Sequence, residues 1–233
     1  MKHRMKKLFL PMLMLGAVAC NEANAPVIDE APESSQRLSL NHLRWAGPQQ
    51  FTASATSLAG DIDVLAPEYG ALFDGGSGDY TASFWAVRGQ WRELKVYYED
   101  VDEELEDEGK FLDLEITDPV ALADGTPIAV GDSVLVTVTV DANFLTVQLE
   151  PSGIQFGTGN PTELQISYRH ADPDYNNDGV VNGDDAYVES NLLDMWVQED
   201  PNDPWVSVFS YQSTYLKRFF GTLEHFSEYA ISW

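Results

Sequence analysis

Cysteine is almost absent. The 233 residues hold one, Cys20, which excludes an internal disulfide framework and any cysteine-rich zinc site. Basic residues are scarce: 13 lysines and arginines stand against 38 aspartates and glutamates, and four of the 13 (Lys2, Arg4, Lys6, Lys7) fall in the first seven residues. Beyond them nine basic side chains face 38 acidic ones, a formal net charge of −29. Such a chain repels a phosphate backbone, so nucleic acid is excluded as a partner. Cations, basic surfaces and plain solubility remain as uses for the charge. Histidine is rare as well, with four copies. His42 and His170 have no metal-ligand or triad partner at an informative spacing, and acid pairs are too abundant for any two to be singled out as a glycosidase pair. No conventional active site emerges, and the expectation is a protein that is not an enzyme. With 44% hydrophobic and 12% aromatic residues, what is present suits one ordinary globular domain plus a tether.

The first segment, MKHRMKKLFLPMLMLGAVAC, has a basic start and a twelve-residue apolar run, Leu8–Ala19. That run is too short to span a bilayer and has the length of a secretory signal. It ends in small residues directly before Cys20. Ala17-Val18-Ala19-Cys20 resembles the cleavage box of bacterial lipoprotein signals, with Ala where that family prefers Leu. The resemblance implies that residues 1–19 are removed and that Cys20 is acylated as the new N-terminus. A multiply acylated cysteine anchors stably where a single chain does not. Asn21 is not the Asp that resembles an inner-membrane retention signal. The implied location is the bacterial cell envelope, at the outer membrane if the cell has two. The same segment also fits an ordinary secretory signal with a coincidental cysteine.

From residue 20 to 79 the chain is rich in Ala, Pro, Ser, Gly and Asn, as in NEANAPVIDEAPESSQ and GGSGD, and reads as a flexible tether. Weak structure is expected only at His42–Trp45 and Asp61–Leu65. Periodicity changes at Tyr80. Leu94, Val96 and Tyr98 alternate with polar neighbours, as do Leu112, Leu114 and Ile116; Val134, Val136, Val138 and Val140; Leu145, Val147 and Leu149; Leu164, Ile166 and Tyr168; and Tyr229, Ile231 and Trp233. A period of two over short runs, broken by turn residues (Arg88-Gly89-Gln90, Ala123-Asp124-Gly125, Pro151-Ser152-Gly153), predicts antiparallel strands with one buried face. The expected fold over 80–233 is mainly β, an antiparallel immunoglobulin-like β-sandwich.

Three segments add a resemblance. FLDLEITDPVALADGTPIAVGDSVLVTVTV, LEPSGIQFGTGNPTELQISY and the closing HFSEYAISW resemble the ZU-type β-sandwich domain of ankyrins and netrin receptors and related bacterial surface modules. The likeness covers about two thirds of the mature chain, with HFS-x-YA its sharpest part. It implies a protein-interaction platform rather than an enzyme. In some ZU-type domains an HFS tripeptide undergoes self-cleavage before the Ser, which would here involve His225, Phe226 and Ser227. A cut there would free only seven residues, and the same three residues also suit the end of a strand with Phe226 buried.

The segment DYNNDGVVNGDDA, 174–186, carries the clearest chemistry. Counting from Asp174, positions 1, 3 and 5 are Asp174, Asn176 and Asp178, and position 6 is Gly179. Position 7, which offers a backbone carbonyl, is Val180; position 9 is Asn182 and position 12 is Asp185. Calcium takes six to eight hard oxygens, and a twelve-residue loop with a glycine turn at position 6 can wrap them around one ion. Carboxylates this close repel one another without a cation. Asn at position 9 with Asp at position 12 makes the loop resemble that of dockerins more than that of calmodulin-type sensors. Dockerins use two such loops to bind cohesin; GDIDVL, LADGT and DPNDP lack the ligand spacing, so calcium ligation carries over and cohesin binding does not. Leu192, Met195 and Trp196 have the spacing of one helix face, which predicts a short helix after the loop and a calcium-loop insertion over 172–195. A lone loop of this kind suits a structural staple better than a switch, because no paired hand exists to open an apolar groove.

Two further features remain. EDVDEELEDE, 99–108, holds eight acids in ten residues. It reads as a solvated loop between strands, because blocks of like charge repel and stay open; its other use would be diffuse capture of cations or of a basic partner. Six Trp and ten Tyr suit sugar stacking, but Trp85, Trp91, Trp205, Trp233, Tyr98 and Tyr168 fall inside strand patterns, where aromatics serve as core or cross-strand pairs. The sequence therefore predicts a lipid-anchored, calcium-stapled sandwich held to the membrane through Cys20, facing an unidentified protein or glycan. A carbohydrate-binding or adhesive module and a self-cleaving domain are the alternatives.

Overall fold

In the computed structural model the described residues are 40–65, 78–99, 109–159 and 161–233. The expectations for 1–39, Cys20 included, and for the acidic run 100–108 lie outside them. Fifteen strands are described: β1 (Phe51–Ser57), β2 (Gly60–Ile62), β3 (Tyr80–Val87), β4 (Arg92–Tyr98), β5 (Lys110–Ile116), β6 (Pro119–Ala121), β7 (Ser133–Val140), β8 (Thr146–Glu150), β9 (Gln155–Phe156), β10 (Thr162–Ser167), β11 (Asp194–Gln198), β12 (Val206–Ser207), β13 (Ser210–Ser213), β14 (Arg218–Leu223) and β15 (Glu228–Ser232). A helix, α1 (Gly183–Asn191), stands between β10 and β11. Among the described residues no helix is long and apolar enough to cross a membrane.

The strands form an antiparallel β-sandwich. One sheet has the order β13-β14-β10-β5-β4-β1-β2, the other β12-β11-β15-β8-β7-β3, and β6 pairs with β9 in a small separate ribbon. Alternating apolar residues from both large sheets meet in one core. Leu94, Val96, Leu112, Leu114, Leu164 and Ile166 come from the first; Phe84, Val136, Val138, Val147, Leu149 and Ile231 from the second. The expected turns are present: Gly89, Gly125 and Gly153 all adopt positive φ, the conformation a glycine allows without steric cost.

Two expectations are corrected. The tether does not run to residue 79, because β1 pairs with β4 along its whole length, from Phe51↔Tyr98 to Ser57↔Arg92, and β2 closes that edge of the sheet. Upstream of β1, Leu43 and Trp45 are buried in the core. The small polar residues of FTASATS hid a strand whose partners, not its own periodicity, hold it in place. The helix is also shorter than its spacing implied. It stops at Asn191, and Met195 and Trp196 lie on β11, paired with Ile231 and Ala230 of β15. Met195 is buried because of its sheet face, not a helix stripe.

The aromatic residues divide. Tyr98 and Tyr168 are core residues, and Trp85 lies opposite Leu135 on an outward face, 49% exposed. Phe209 and Tyr215 are exposed by 94% and 90%, in an uncharged stretch that also exposes Val206 and Tyr211.

Candidate metal centre

The twelve-residue loop follows β10 and ends inside the first turn of α1. Its backbone folds inward onto its own carboxylates. Asp174 receives the amides of Asp178 (3.1 Å) and Gly179 (2.7 Å). Asn176 Oδ1 accepts from the same Asp178 amide at 2.9 Å, and Asp178 Oδ1 accepts from Val180 N at 2.8 Å. Asp185, 2% exposed, closes the ring by accepting from Asn176 N (3.2 Å) and Asn182 N (2.8 Å). The curl needs two residues in the left-handed region, Asn177 at φ 57° and Gly179 at φ 87°. Asn tolerates that region and glycine meets no penalty there.

Asn182 and Asp185 have a second task. Asn182 caps α1 through Asp184 N at 2.6 Å, and Asp185 returns the bond to the cap backbone in a capping box. The last two side chains of the ligand set are thus fixed by helix initiation. Hydrogen bonds from the Asn182 amide, and after it from Asn176, hold the Asp185 carboxyl below the usual carboxylate range, against the opposing effect of burial. The carboxylates of Asp174, Asp178 and Asp185 are met here by backbone amides, which orient their oxygens and bring no full positive charge. The Asp174, Asp178 and Asp185 oxygens do not all come within 4.8 Å of one another, but the donor types suit a hard divalent cation: three carboxylates, the Asn176 and Asn182 amides and the Val180 carbonyl, all in one curl. Asn182 Nδ2 donates to that carbonyl at 3.0 Å.

A second group of carboxylates was not legible in the sequence. Glu93, Asp113 and Glu115 offer oxygens within 4.8 Å of one another because β4 and β5 place Glu93 opposite Glu115 and Lys95 opposite Asp113. Here two lysines stand against the three carboxylates. Lys95 reaches Glu93 at 3.1 Å and Lys110 reaches Asp113 at 2.6 Å, while Thr56 and the Trp91 indole donate to Glu93 and Glu115. Burial pushes the Asp113 carboxyl up, against the Lys110 contact.

His225 and Ser227 line a cleft of about 910 Å³ whose walls include Gly153, Phe156, Glu199 and Glu224. Phe226 is buried, as one reading of the tripeptide had it. His225 Nδ1 lies 3.4 Å from Ser227 Oγ and Nε2 lies 3.5 Å from Glu199 Oε1. A proton on Nε2, facing Glu199, leaves Nδ1 free to accept from the serine. The Phe226 carbonyl accepts from Gly153 N at 2.7 Å, and Tyr229 Oη donates to the His225 carbonyl at 2.6 Å. The other two described histidines have partners that no spacing could reveal. His170 stacks on Tyr98 with centroids 3.9 Å apart, and His42 Nδ1 lies 2.9 Å from Ser232 Oγ.

Set against known protein families, curated proteins and solved structures, the chain matches none.

Proposed function

We infer that the protein is a non-enzymatic, lipid-anchored surface domain whose sandwich is stapled by one calcium ion and presented for protein interaction or envelope structure. The observation that carries the calcium part is the 174–185 curl, where the Asp174, Asp178 and Asp185 carboxylates each accept hydrogen bonds from backbone amides of the same loop. Calcium in that curl would supply the countercharge and tie the end of β10 to the start of α1. Asp174, Asn176, Asp178, Asn182 and Asp185 would hold it with side-chain oxygens and Val180 with its carbonyl. The Cys20 anchor rests on the signal-like sequence before it, and the uncharged exposed rings of Phe209, Tyr211 and Tyr215 offer a partner surface free of the chain's overall repulsion. A glycan array with and without chelator separates a sugar partner from a protein one.

Terbium titration tests the ion. The Trp233 indole donates to the Tyr175 carbonyl at 2.9 Å, so excitation of tryptophan should sensitise bound terbium, and calcium should quench the emission by displacement. Absence of sensitised emission, together with no calcium retained after dialysis, would sink the reading.

A second reading, self-cleavage at Phe226–Ser227, is favoured by the Gly153 amide on the Phe226 carbonyl and by His225 beside Ser227. Ser227 Oγ would add to the Phe226 carbonyl carbon as its proton passes to His225. The C–N bond would break with the proton going to the Ser227 amine, leaving an ester that water hydrolyses to a Phe226 carboxylate and a free serine. Intact mass decides, since cleavage must release Ser-Glu-Tyr-Ala-Ile-Ser-Trp.

A further inference from the structure

Residues 41–46 are not part of a named strand, yet they cross the fold as a strap between distant segments. They pair through isolated bridges, His42 with Ser232, Arg44 with Phe144 and Trp45 with Ala171, rather than along a continuous ladder. Leu43 and Trp45 point into the core, and the Trp45 indole donates to the Asp141 carbonyl at 3.0 Å.

Two routes join this strap to the loop. Along the first, Asp174 N donates to Asp172 Oδ1 at 3.1 Å, and Asp172 N donates to the Arg44 carbonyl at 2.8 Å. Ala46 N donates to the His170 carbonyl at 3.0 Å beside it. Along the second, the Trp233 indole holds the Tyr175 carbonyl, while the Trp233 carbonyl accepts from Asn41 N at 3.0 Å and the Ile231 carbonyl from Leu43 N at 3.1 Å. The loop is thus linked to both ends of the strap through intermediates, Asp172 to Arg44 on one side and Trp233 to Asn41 on the other.

We propose that calcium in the 174–185 loop clasps the 41–46 strap onto the sandwich, so that strap opening and calcium release are one linked equilibrium. This rests on calcium occupancy of the loop as inferred above. An ion that binds only the formed loop suppresses every opening that deforms it by a factor of 1 + [L]/Kd. The linkage is reciprocal, so loosening the strap weakens calcium by the same factor. Residue 40 leads directly into this strap. Calcium therefore sets whether a pull from that side meets a docked segment or a freed one.

Hydrogen exchange on the full chain, in millimolar calcium and in chelator, reads the linkage directly. The amides of Leu43, Ala46 and Asp172 should exchange at least about tenfold more slowly in calcium, while β1 amides bonded to β4 change little. Trp233→Phe, which removes the indole donor and keeps a ring, should shrink the calcium effect at Asn41 and Leu43 while equilibrium dialysis still shows calcium bound. Equal exchange at the strap amides with terbium or calcium demonstrably bound overturns the clasp and leaves the metal reading intact; so does a uniform slowing of all amides. Failure to bind either ion overturns both.

Discussion

Two sets of three carboxylates in this domain are built oppositely, one strung along a loop and the other gathered within 4.8 Å on a sheet. In the loop, Asp174, Asp178 and Asp185 come from twelve consecutive residues, and backbone amides orient them. On the sheet, Glu93, Asp113 and Glu115 come from two strands, and Lys95 and Lys110 stand among them with full positive charge. The first takes neutral amide donors, and the second sets two lysine side chains against its three carboxylates. Proximity of acids therefore says little about a metal site until the source of the countercharge is known.

The sharpest way to break this contrast is to remove the built-in cation. Lys110→Met should leave Asp113, 3% exposed, as an unbalanced buried acid and cost about 3–5 kcal/mol in urea unfolding. The loss should be the same in calcium and in chelator; a loss that calcium rescues would mean that the sheet cluster, too, takes an ion. Next in size, withdrawing calcium from the native chain should lower stability by about 2–4 kcal/mol at 100- to 1,000-fold saturation. Asp178→Ala should reproduce that loss in calcium and change little in chelator, and equal melting shifts under both conditions would count against the staple. Asn182→Ala sharpens the point, because Asn182 is also the helix cap. About 1 kcal/mol of its cost should persist in chelator.

The smallest effect concerns pH at the strap. Burial lowers the His42 pKa, more than Asp141 raises it. The folded state thus binds its proton less readily than the unfolded chain does. Stability from this group is complete above the unfolded value of about 6.5 and falls as pH drops from there through the folded value. His42→Gln should flatten the melting temperature between pH 7 and 5; an unchanged slope would assign the acid sensitivity to other groups.

Legibility followed the range over which each feature is determined. The valines of β7 and the alternation of β4, β8 and β10 announced a sandwich because a half-buried strand writes its face into every second residue. Gly179 and the ligand spacing were readable because the curl is local. FTASATS was not, since Thr52, Ser54 and Thr56 become strand residues only through Tyr97, Lys95 and Glu93 across the ladder. Met195 and Trp196 fitted a helix by spacing, but α1 has no apolar stripe to continue and β15 offers a strand partner. The Glu199–His225–Ser227 grouping lacked any signal for Glu199, which the β11–β12 connection brings in.

By itself the amino-acid sequence determined the sandwich class, the repulsion of polyanions and the twelve positions of the calcium-type curl. All three depend on composition or on neighbours a few residues apart. Tertiary structure alone decided that residues 41–62 belong to the domain, that the sheet carboxylates meet lysines, and that Trp233 reaches back to Tyr175. Those outcomes depend on strand order and register, which join residues up to 190 positions apart, as in His42 with Ser232, and no local pattern encodes them.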